Sequence, residues 1–351
     1  MSLRHIALPS WPLQSPPRFP SYALATRVQS KLQQDLLAWK AAQTSSLPPS
    51  PSPPPPPLPT LLSFTPSPTY TLGRRQTTPL TRRERERLRA PLRLAYPGCP
   101  PPAPVAATRP PGFRPQVAPA PRGGLATYHG PGQVVLWPVI DLRSPLHAPF
   151  SVRAYACLLE QTTVAALARL GIGGLATTAD PGVWVRHGGG EGEDGGQRKI
   201  AALGVHLRRH VTGLGVAINV GMPVTGTDET LNPWARIDAC GLGDKGITSV
   251  AAELAGWEPE AEAEAEAGSV PQGEEIASLW ASEFAARLQL RGGDGGVKEV
   301  NHQRSDWDRW KAELGLDDQK GAYDEARPLT WFRKPDRRGP PHDSAESSST
   351  Q

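Results

Sequence analysis

The sequence predicts a mixed α/β domain, and three observations support this fold class. Short, apolar, β-rich runs bounded by glycine or polar turns occupy the middle of the chain. Segments with helical periodicity flank these runs. Two proline tracts, Pro48–Pro59 and the stretch between Pro91 and Pro121, can hold neither an interior helix nor a central strand. Strands flanked by helices indicate a mixed sheet with helices packed against it. The predicted strands are 134–140, 183–185, 201–207 and 216–220.

Four segments have the periodicity of amphipathic or surface helices. Leucine or valine recurs at every fourth position from Leu24 to Leu36 in the first of them. Ser151 is placed to cap the third, and Gly171 follows its last residue. A strand interrupted by prolines is expected between Leu61 and Leu72. The predicted helices are Tyr22–Lys40, Thr81–Arg93, Ser151 to about Leu170, and Glu274–Leu290.

The length predicts a single domain over residues 1–330. A chain of 351 residues allows one large or two ordinary domains. Without its proline tracts about 250 residues remain, enough for one α/β core. Stretches that lack the periodicity of packed elements are expected to be disordered insertions, as is the serine-rich tail at 331–351. The insertions are expected at about 47–60, 91–120, 187–197 and 258–273.

The composition excludes several classes of function. A net charge of +4, with scattered basic residues and no recognisable motif, gives no support for nucleic-acid binding. The three cysteines have no CxxC spacing, so we expect neither a disulfide framework nor a zinc site, and a reducing compartment fits best. No apolar run approaches the roughly twenty residues of a membrane span. The sequence therefore predicts no metal and no membrane partner.

The N-terminal region is poor in acidic residues. The first of them is Asp35, after several arginines, which is compatible with a mitochondrial transit segment. Because the helix predicted from Tyr22 belongs to the domain, any cleavable segment is expected to be very short. Mitochondrial localisation is predicted, with the cytoplasm as the alternative.

The most informative stretch is RGGLATYHGPGQVVLWPVID, from Arg122 to Asp141. A glycine-dense loop that leads into an apolar strand can bring the backbone close to a ligand, because glycine adopts unusual backbone angles without steric cost. An isolated pair of glycines is more often a simple turn. The convergence of Arg, Thr, Tyr, His and Gln in one loop favours a ligand site.

These residues resemble the lipoyl(octanoyl) transferases, whose pattern is RGG, two variable residues and TYHGPGQ. Arg122–Gly124 and Thr127–Gln133 match it. The match is strong over roughly residues 120–250, and it implies the catalytic fold of biotin/lipoate protein ligases, a mixed sheet flanked by helices. Further segments in the family's order are TLGR at 71–74, GVWV at 182–185, KIAALG at 199–204, GVAINV at 215–220 and ACGL at 239–242.

The resemblance implies an acyltransferase. Such an enzyme moves an octanoyl or lipoyl group from acyl carrier protein to a specific lysine of a lipoyl domain, through a cysteine thioester. The implied acceptors are the lipoyl domains of the glycine cleavage H protein and of the E2 subunits of 2-oxo acid dehydrogenases. We expect a monomer that needs no cofactor and binds no nucleic acid.

Cys240 and Lys199 fall where the family has its acyl-accepting cysteine and its activating lysine. A thiol must ionise to attack a thioester, and a nearby cation lowers the pKa of a thiol; the same group can then serve as a base. Without the resemblance, a lone cysteine is more often a small buried hydrophobic residue. That simpler interpretation is kept for Cys157, within a predicted helix, and for Cys99, within a proline-rich insertion.

The resemblance also implies a narrow apolar pocket for the acyl chain. Burial contributes about 0.8 kcal/mol per methylene, which favours octanoyl over short acyl groups. Whether His129 contacts substrate or is a hydrogen-bonded core histidine is left open. The chain departs from the family pattern at Leu214, Asp238 and Ala239. The implied lining residues are Arg122, Gly123, Gly124, Leu125, Ala126, Thr127, Tyr128, His129, Ala202, Leu203, Gly204, Gly215, Val216 and Ala217.

Two other functions compete with this one. An ATP-dependent lipoate or biotin ligase with the same fold would form an acyl-adenylate and need no nucleophilic cysteine. A non-catalytic scaffold would recruit partners through a polyproline II segment at Pro48–Pro59.

Overall fold

The computed structural model describes most of the chain that the sequence assigns to the domain. Cys240 and Cys99 lie outside the described residues, as does the predicted tail at 331–351. The described residues are 2–14, 17–44, 54–94, 96, 112–186, 196–237, 245–256, 270–291, 297–300 and 323–325.

The described elements are strands and helices interspersed along the chain. The strands are β1 Leu3–Ala7, β2 Arg18–Pro20, β3 Thr60–Phe64, β4 Thr69–Leu72, β5 Gln116–Pro119, β6 Ala126–His129, β7 Gln133–Val139, β8 Leu175–Ala176, β9 Gly182–Arg186, β10 Gln197–Arg208, β11 Val211–Asn219, β12 Gly246–Ile247, β13 Val297–Val300 and β14 Tyr323–Glu325. The helices are α1 Tyr22–Thr44, α2 Arg82–Leu88, α3 Val152–Arg169, α4 Val250–Leu254 and α5 Gly273–Leu288, with a 3-10 turn at Pro233–Arg236.

Nine of the described strands form one mixed sheet, as the sequence predicts. Its order is β13-β1-β3-β7-β11-β10-β9-β8, and β12 pairs with β10 away from this path. The pairs of β1 with β3 and with β13 are parallel, while β7, β11, β10 and β9 form antiparallel pairs. Both strands of the long β10–β11 hairpin contribute residues to the wall of a cavity, so this part of the sheet positions the candidate site.

The strand β7 shows how the sheet is covered on both faces. Val134 and Leu136 join a hydrophobic cluster with α3 and α5, whereas Val135 and Trp137 join a second cluster with α1. Side chains alternate between the two faces of a strand, and both faces here carry helices. That is why the run from Val134 is apolar at consecutive positions rather than at every second one.

A second, three-stranded sheet has the order β5-β4-β6. Its side chains pack into a third hydrophobic cluster that includes Tyr70, Leu92, Phe113 and Tyr128. The two main-chain hydrogen bonds between Leu92 and Phe113 are 2.8 and 2.9 Å long. This sheet carries the first half of the TYHGPGQ motif on β6.

The structure corrects several boundaries predicted from the sequence. Residues 112–120, expected within a disordered insertion, contain β5 and the buried Phe113. The surface helix ends at Leu88 instead of Arg93, because Leu92 leaves it to pair with Phe113. The expected strand between Leu61 and Leu72 is two strands in two different sheets. Thr60, Gln197 and Gly273, which we expected in insertions, begin β3, β10 and α5.

No helix within the described ranges is long and apolar enough to cross a membrane. Across those same ranges, no group of three or more His, Cys, Asp or Glu side chains is placed to hold a metal ion.

Candidate functional site

A cavity of about 620 Å³ opens beside the β10–β11 hairpin. Eleven of the fourteen predicted pocket residues line it, and so does Lys199. They come from separate parts of the chain that only the fold brings together. They are Arg122, Gly123, Gly124, Thr127, His129, Ala202, Leu203, Gly204, Gly215, Val216 and Ala217.

Three predicted residues, Leu125, Ala126 and Tyr128, are not among the lining residues. The alternation of β6 explains two of them: Thr127 and His129 face the cavity, so Ala126 and Tyr128 face away from it. The ring of Tyr128 instead lies against the third hydrophobic cluster, within the small sheet. The expectation that all residues from Arg122 to His129 line the pocket was therefore wrong at these positions.

Arg122 holds the glycine loop in shape. Its Nη1 donates to the carbonyl oxygens of Gly123 and Leu125, both at 2.9 Å, and its Nη2 donates to the Thr71 carbonyl and hydroxyl oxygens, both at 2.8 Å. A Cβ atom at Gly204 would lie 2.9 Å from Arg122 Cδ, so the strand passes close to this side chain. The guanidinium group thus ties the RGG loop to the TLGR segment and forms one wall of the cavity.

Lys199 is buried, with 6% of its surface exposed. Its Nζ lies 4.5 Å from the centroid of the Trp184 ring on the neighbouring strand β9. Lys245 Nζ lies 5.3 Å from the same centroid and 3.0 Å from Asp180 Oδ2. An ammonium group on the face of a tryptophan is attracted by the electrons of the ring. The cavity wall therefore contains the amine of a buried lysine, so Lys199 is not an ordinary solvated surface lysine.

His129 is a buried, hydrogen-bonded residue that also lines the cavity. Its ring stacks on that of Tyr22 with centroids 5.6 Å apart, and its Nδ1 lies 2.9 Å from Gln133 Oε1. Burial lowers the pKa of His129 to about 4, against the opposing effect of the Gln133 hydrogen bond. Arg122 lowers the pKa further. The ring is therefore neutral at pH 7, and the residue is both a hydrogen-bonded histidine and part of the cavity wall.

Several lining residues were missed by sequence reasoning. Arg153, Ala156, Cys157 and Glu160 lie on one face of α3 with the spacing i, i+3, i+4 and i+7, a helical signal that was available. The others had no local signal, because nothing in their immediate sequence marks them as lining residues. Those are Tyr22, Arg75, Trp137, Thr178, Ala179, Asp180, Pro181, Val205 and Leu214.

Cys157 was expected to be a small buried hydrophobic residue within a helix, and this expectation was wrong. It is exposed and lies at the cavity. Any chemical labelling of Cys240 must therefore be separated from labelling of Cys157.

The segment that contains Cys240 lies between residues that are anchored to the fold. Before it, the buried Arg236 donates from Nη1 to the Ala90 carbonyl oxygen at 2.6 Å and from Nη2 to the Pro91 carbonyl oxygen at 2.8 Å. After it, β12 pairs in parallel with β10, where Ile247 lies opposite Lys199. The residues that come after this segment are thus held against the strand that carries Lys199.

Comparisons with known proteins identify relatives of this chain. The family model of the lipoyl protein ligase A/B catalytic domain matches residues 53–266. An octanoyltransferase from Paramagnetospirillum magneticum is 41% identical over 129 residues, which are 37% of this chain and 54% of the relative. A Danio rerio protein, named octanoyl-[acyl-carrier-protein]:protein N-octanoyltransferase LIPT2, mitochondrial, is 38% identical over 133 residues, 38% of this chain and 50% of the relative.

A solved structure of a bi-partite lipoate protein ligase from Thermoplasma acidophilum aligns with a TM-score of 0.43 and 11% identity, covering 91% of this chain and 98% of that one. The chain spans about half the length of the curated relatives it matches. The family model itself covers more than half of the chain. The chain belongs to the family of the lipoyl protein ligase A/B catalytic domain.

Proposed function

We propose that this protein is an octanoyltransferase that moves an octanoyl or lipoyl group from acyl carrier protein to a lysine of a lipoyl domain. The observation that carries the proposal is the buried Lys199 in the wall of a cavity that eleven of the predicted pocket residues also line. The names of the relatives from Paramagnetospirillum magneticum and Danio rerio support the same activity.

The proposed reaction has two steps. The thiolate of Cys240 attacks the thioester carbonyl and forms an acyl-cysteine, and the carrier leaves as a thiolate that takes a proton from the Lys199 ammonium. The amine of the acceptor lysine then attacks the acyl-cysteine, loses a proton and forms the amide, which regenerates the cysteine. In this scheme the Lys199 ammonium stabilises the thiolate, and its neutral form accepts a proton from the incoming amine.

The cavity chemistry favours an acyl chain. Ala202, Leu203, Val216 and Ala217 supply small and apolar side chains from the two strands of the hairpin. Burying each methylene there contributes about 0.8 kcal/mol. A volume of about 620 Å³ lies within the range of small-molecule sites, roughly 300–1,000 Å³.

The proposed partners are those that the activity requires. They are octanoyl acyl carrier protein as donor, and the lipoyl domains of the glycine cleavage H protein and of 2-oxo acid dehydrogenase E2 subunits as acceptors. We also propose mitochondrial localisation, which the name of the Danio rerio relative and the acid-poor N-terminal region support.

Intact-mass spectrometry after incubation with octanoyl acyl carrier protein tests the proposal. We expect a mass increase of one octanoyl group, mapped by peptide analysis to Cys240. Cys240→Ala should abolish it, whereas Cys157→Ala, which also alters the cavity, should keep it. Acylation of Cys157, or of no residue, would contradict the proposed mechanism, and ATP-dependent activity in Cys240→Ser would favour the ligase alternative.

Labelling with iodoacetamide tests the part assigned to Lys199. In a background without Cys157 and Cys99, Lys199→Ala should slow alkylation of Cys240 at neutral pH, because the thiolate loses a nearby cation. Lys199→Arg should keep part of the rate, since it keeps the charge, yet fail in transfer to the lipoyl domain. Unchanged labelling in Lys199→Ala would remove Lys199 from the mechanism.

A further inference from the structure

A chain of buried polar groups leads from the cavity to the residue after β12. Gln133 Nε2 donates to Asn219 Oδ1 at 2.9 Å, and Asn219 Nδ2 donates to the carbonyl oxygen of Thr248 at 2.9 Å. Gln133, Asn219 and Thr248 are 2%, 3% and 0% exposed. With His129 at the cavity end, this series of hydrogen-bonded groups joins β6, β7, β11 and the residue after β12.

The last group of this chain sets the direction of its hydrogen bonds. A main-chain carbonyl can only accept, so the Asn219 amide must turn its NH₂ group towards Thr248 and its oxygen towards Gln133. Gln133 must then donate to that oxygen with its own NH₂ group, which leaves Gln133 Oε1 facing His129 Nδ1. An amide oxygen is also only an acceptor. The proton of the neutral ring must therefore lie on Nδ1.

We infer that Gln133, Asn219 and the Thr248 carbonyl form a positioning relay that fixes the tautomer of His129, so that its Nε2 is a hydrogen-bond acceptor for an N–H group of the ligand. Nδ1 is held by Gln133, and the ring lines the cavity. The described groups that face the ring are the Tyr22 hydroxyphenyl ring from α1 and the cationic Arg122. Burial raises the pKa of Tyr22 to about 12, so neither group titrates near neutral pH.

The ligand part of this inference rests on the proposed function, and the tautomer part does not. Two N–H donors belong to that reaction: the amine of the acceptor lysine, and amide groups of the arm that carries the donor thioester. Either N–H group can donate a hydrogen bond to an unprotonated ring nitrogen. It cannot do so to an imidazolium, in which both ring nitrogens carry a proton and neither is an acceptor.

Nitrogen-15 NMR of the histidine rings tests the tautomer in the intact chain. The chain has 8 histidines, and the signals of His129 are assigned by their loss in His129→Gln. At pH 7 we expect a neutral ring protonated on Nδ1. A ring protonated on Nε2, or an imidazolium, in the wild-type protein would overturn the inference without any variant.

Two variants test the relay itself. Asn219→Ala removes the closer of the two acceptors that orient Gln133 Nε2 and leaves only the Tyr128 carbonyl oxygen at 3.4 Å, so we expect the second tautomer of His129 to appear. Asn232→Ala is the matched control: Asn232 is also buried, at 4%, and donates to the carbonyls of Thr225 and Gly226, but it lies outside the relay. This control should destabilise the fold and leave the His129 signals unchanged. An equal change in both variants would mean that general loosening, not the relay, is responsible.

Gln133→Glu provides a nearly isosteric variant and the link to activity. A carboxylate beside Nδ1 should raise the pKa of His129 by about one to three units. The low-pH limb of the activity profile should then move up with it, while loading and transfer are measured separately at each pH. If only the formation of the acyl-cysteine is slower, the ligand N–H group that contacts His129 belongs to the donor arm. If only the transfer to the lipoyl domain is slower, it belongs to the acceptor amine. A raised pKa with both steps unchanged would overturn the ligand contact, whereas absence of any acyl-enzyme in the wild type would refute the proposed function and leave the NMR result standing.

Discussion

At the scale of single residues, this site depends on side chains that hold the backbone in place and on glycines that leave room for close approach. Arg122 uses its donors on the carbonyls of its own loop and on Thr71, so it shapes the cavity wall. Gly215 is required for a different reason. A Cβ atom there would lie 2.2 Å from the carbonyl oxygen of Leu136 on the neighbouring strand.

Substitution by alanine should reduce the free energy of unfolding by different amounts at Gly215 and at Gly123. Gly215→Ala should destabilise the protein by about 1–3 kcal/mol, because backbone atoms of the sheet must shift. Gly123→Ala is the matched change in the same cavity: nothing lies within 4 Å of its Cβ position. It should change stability by less than about 0.5 kcal/mol. Urea unfolding of both variants measures this difference, and equal losses would show that the crowding at Gly215 is readily relieved.

The depressed pKa of His129 predicts how stability depends on pH. The ring titrates near 6.5 when unfolded and at about 4 when folded. Between these values the unfolded chain binds more protons, so stability falls as the pH decreases from about 6.5 towards 4. Going from pH 7 to pH 5, the wild type should lose about 2 kcal/mol more than His129→Gln. Parallel losses in urea unfolding would contradict this prediction.

At the scale of elements, α3 connects the hydrophobic core to the cavity. Tyr155, Leu159, Ala166 and Leu167 are buried in the first cluster, while another face of the helix presents the residues that line the cavity. The position of this helix therefore sets one wall of the site. Its N-terminus is capped by Ser151, whose Oγ accepts a hydrogen bond from the main-chain N–H of Ala154, the third residue of the helix, at 3.1 Å.

The cap gives a prediction for this helix. Ser151→Ala should cost about 1 kcal/mol, because it leaves an N–H group of the first turn without its side-chain acceptor. Ser282→Ala, at an exposed position inside α5 where the hydroxyl bonds the Ser278 carbonyl, is the control and should be neutral or slightly stabilising. Thermal unfolding followed by circular dichroism compares the two, and an equal decrease in Tm would argue against the cap.

At the scale of the whole molecule, three hydrophobic clusters hold the fold together. Two of them cover the faces of the large sheet. The third surrounds the small sheet and includes Phe19, Leu88, Phe113 and Trp234, which are widely separated in the sequence. It supports the strand β6, whose cavity-facing side chains belong to the candidate site.

This arrangement predicts that part of the second proline tract is essential for stability. Phe113 is only 3% exposed, and Phe113→Ala should cost about 3–5 kcal/mol through lost burial and a cavity. Leu13→Ala removes an apolar side chain that is 77% exposed and should cost less than about 0.5 kcal/mol. Urea unfolding of the two variants decides: a loss below about 1 kcal/mol in Phe113→Ala would mean that the cluster does not contribute as its burial indicates.

By itself the sequence determined the fold class and the main elements, because these depend on local order along the chain, whereas the predicted lining residues came from the family resemblance. The leucines and valine from Leu24 to Leu36 predicted α1 and are all buried. The glycine-rich motif located the loop. The helical spacing in α3 and the alternation in β6 also indicate which side chains share a face, although the sequence prediction did not draw on them.

Only the tertiary structure decided which groups meet. Tyr22, at the start of α1, stacks on His129 at the end of β6. Asn219 links Gln133 to the Thr248 carbonyl, and Phe113 turns part of a proline tract into core. No local sequence pattern predicts these contacts, because each depends on strand order and register. These bring segments that are distant in the sequence within a few ångströms of one another.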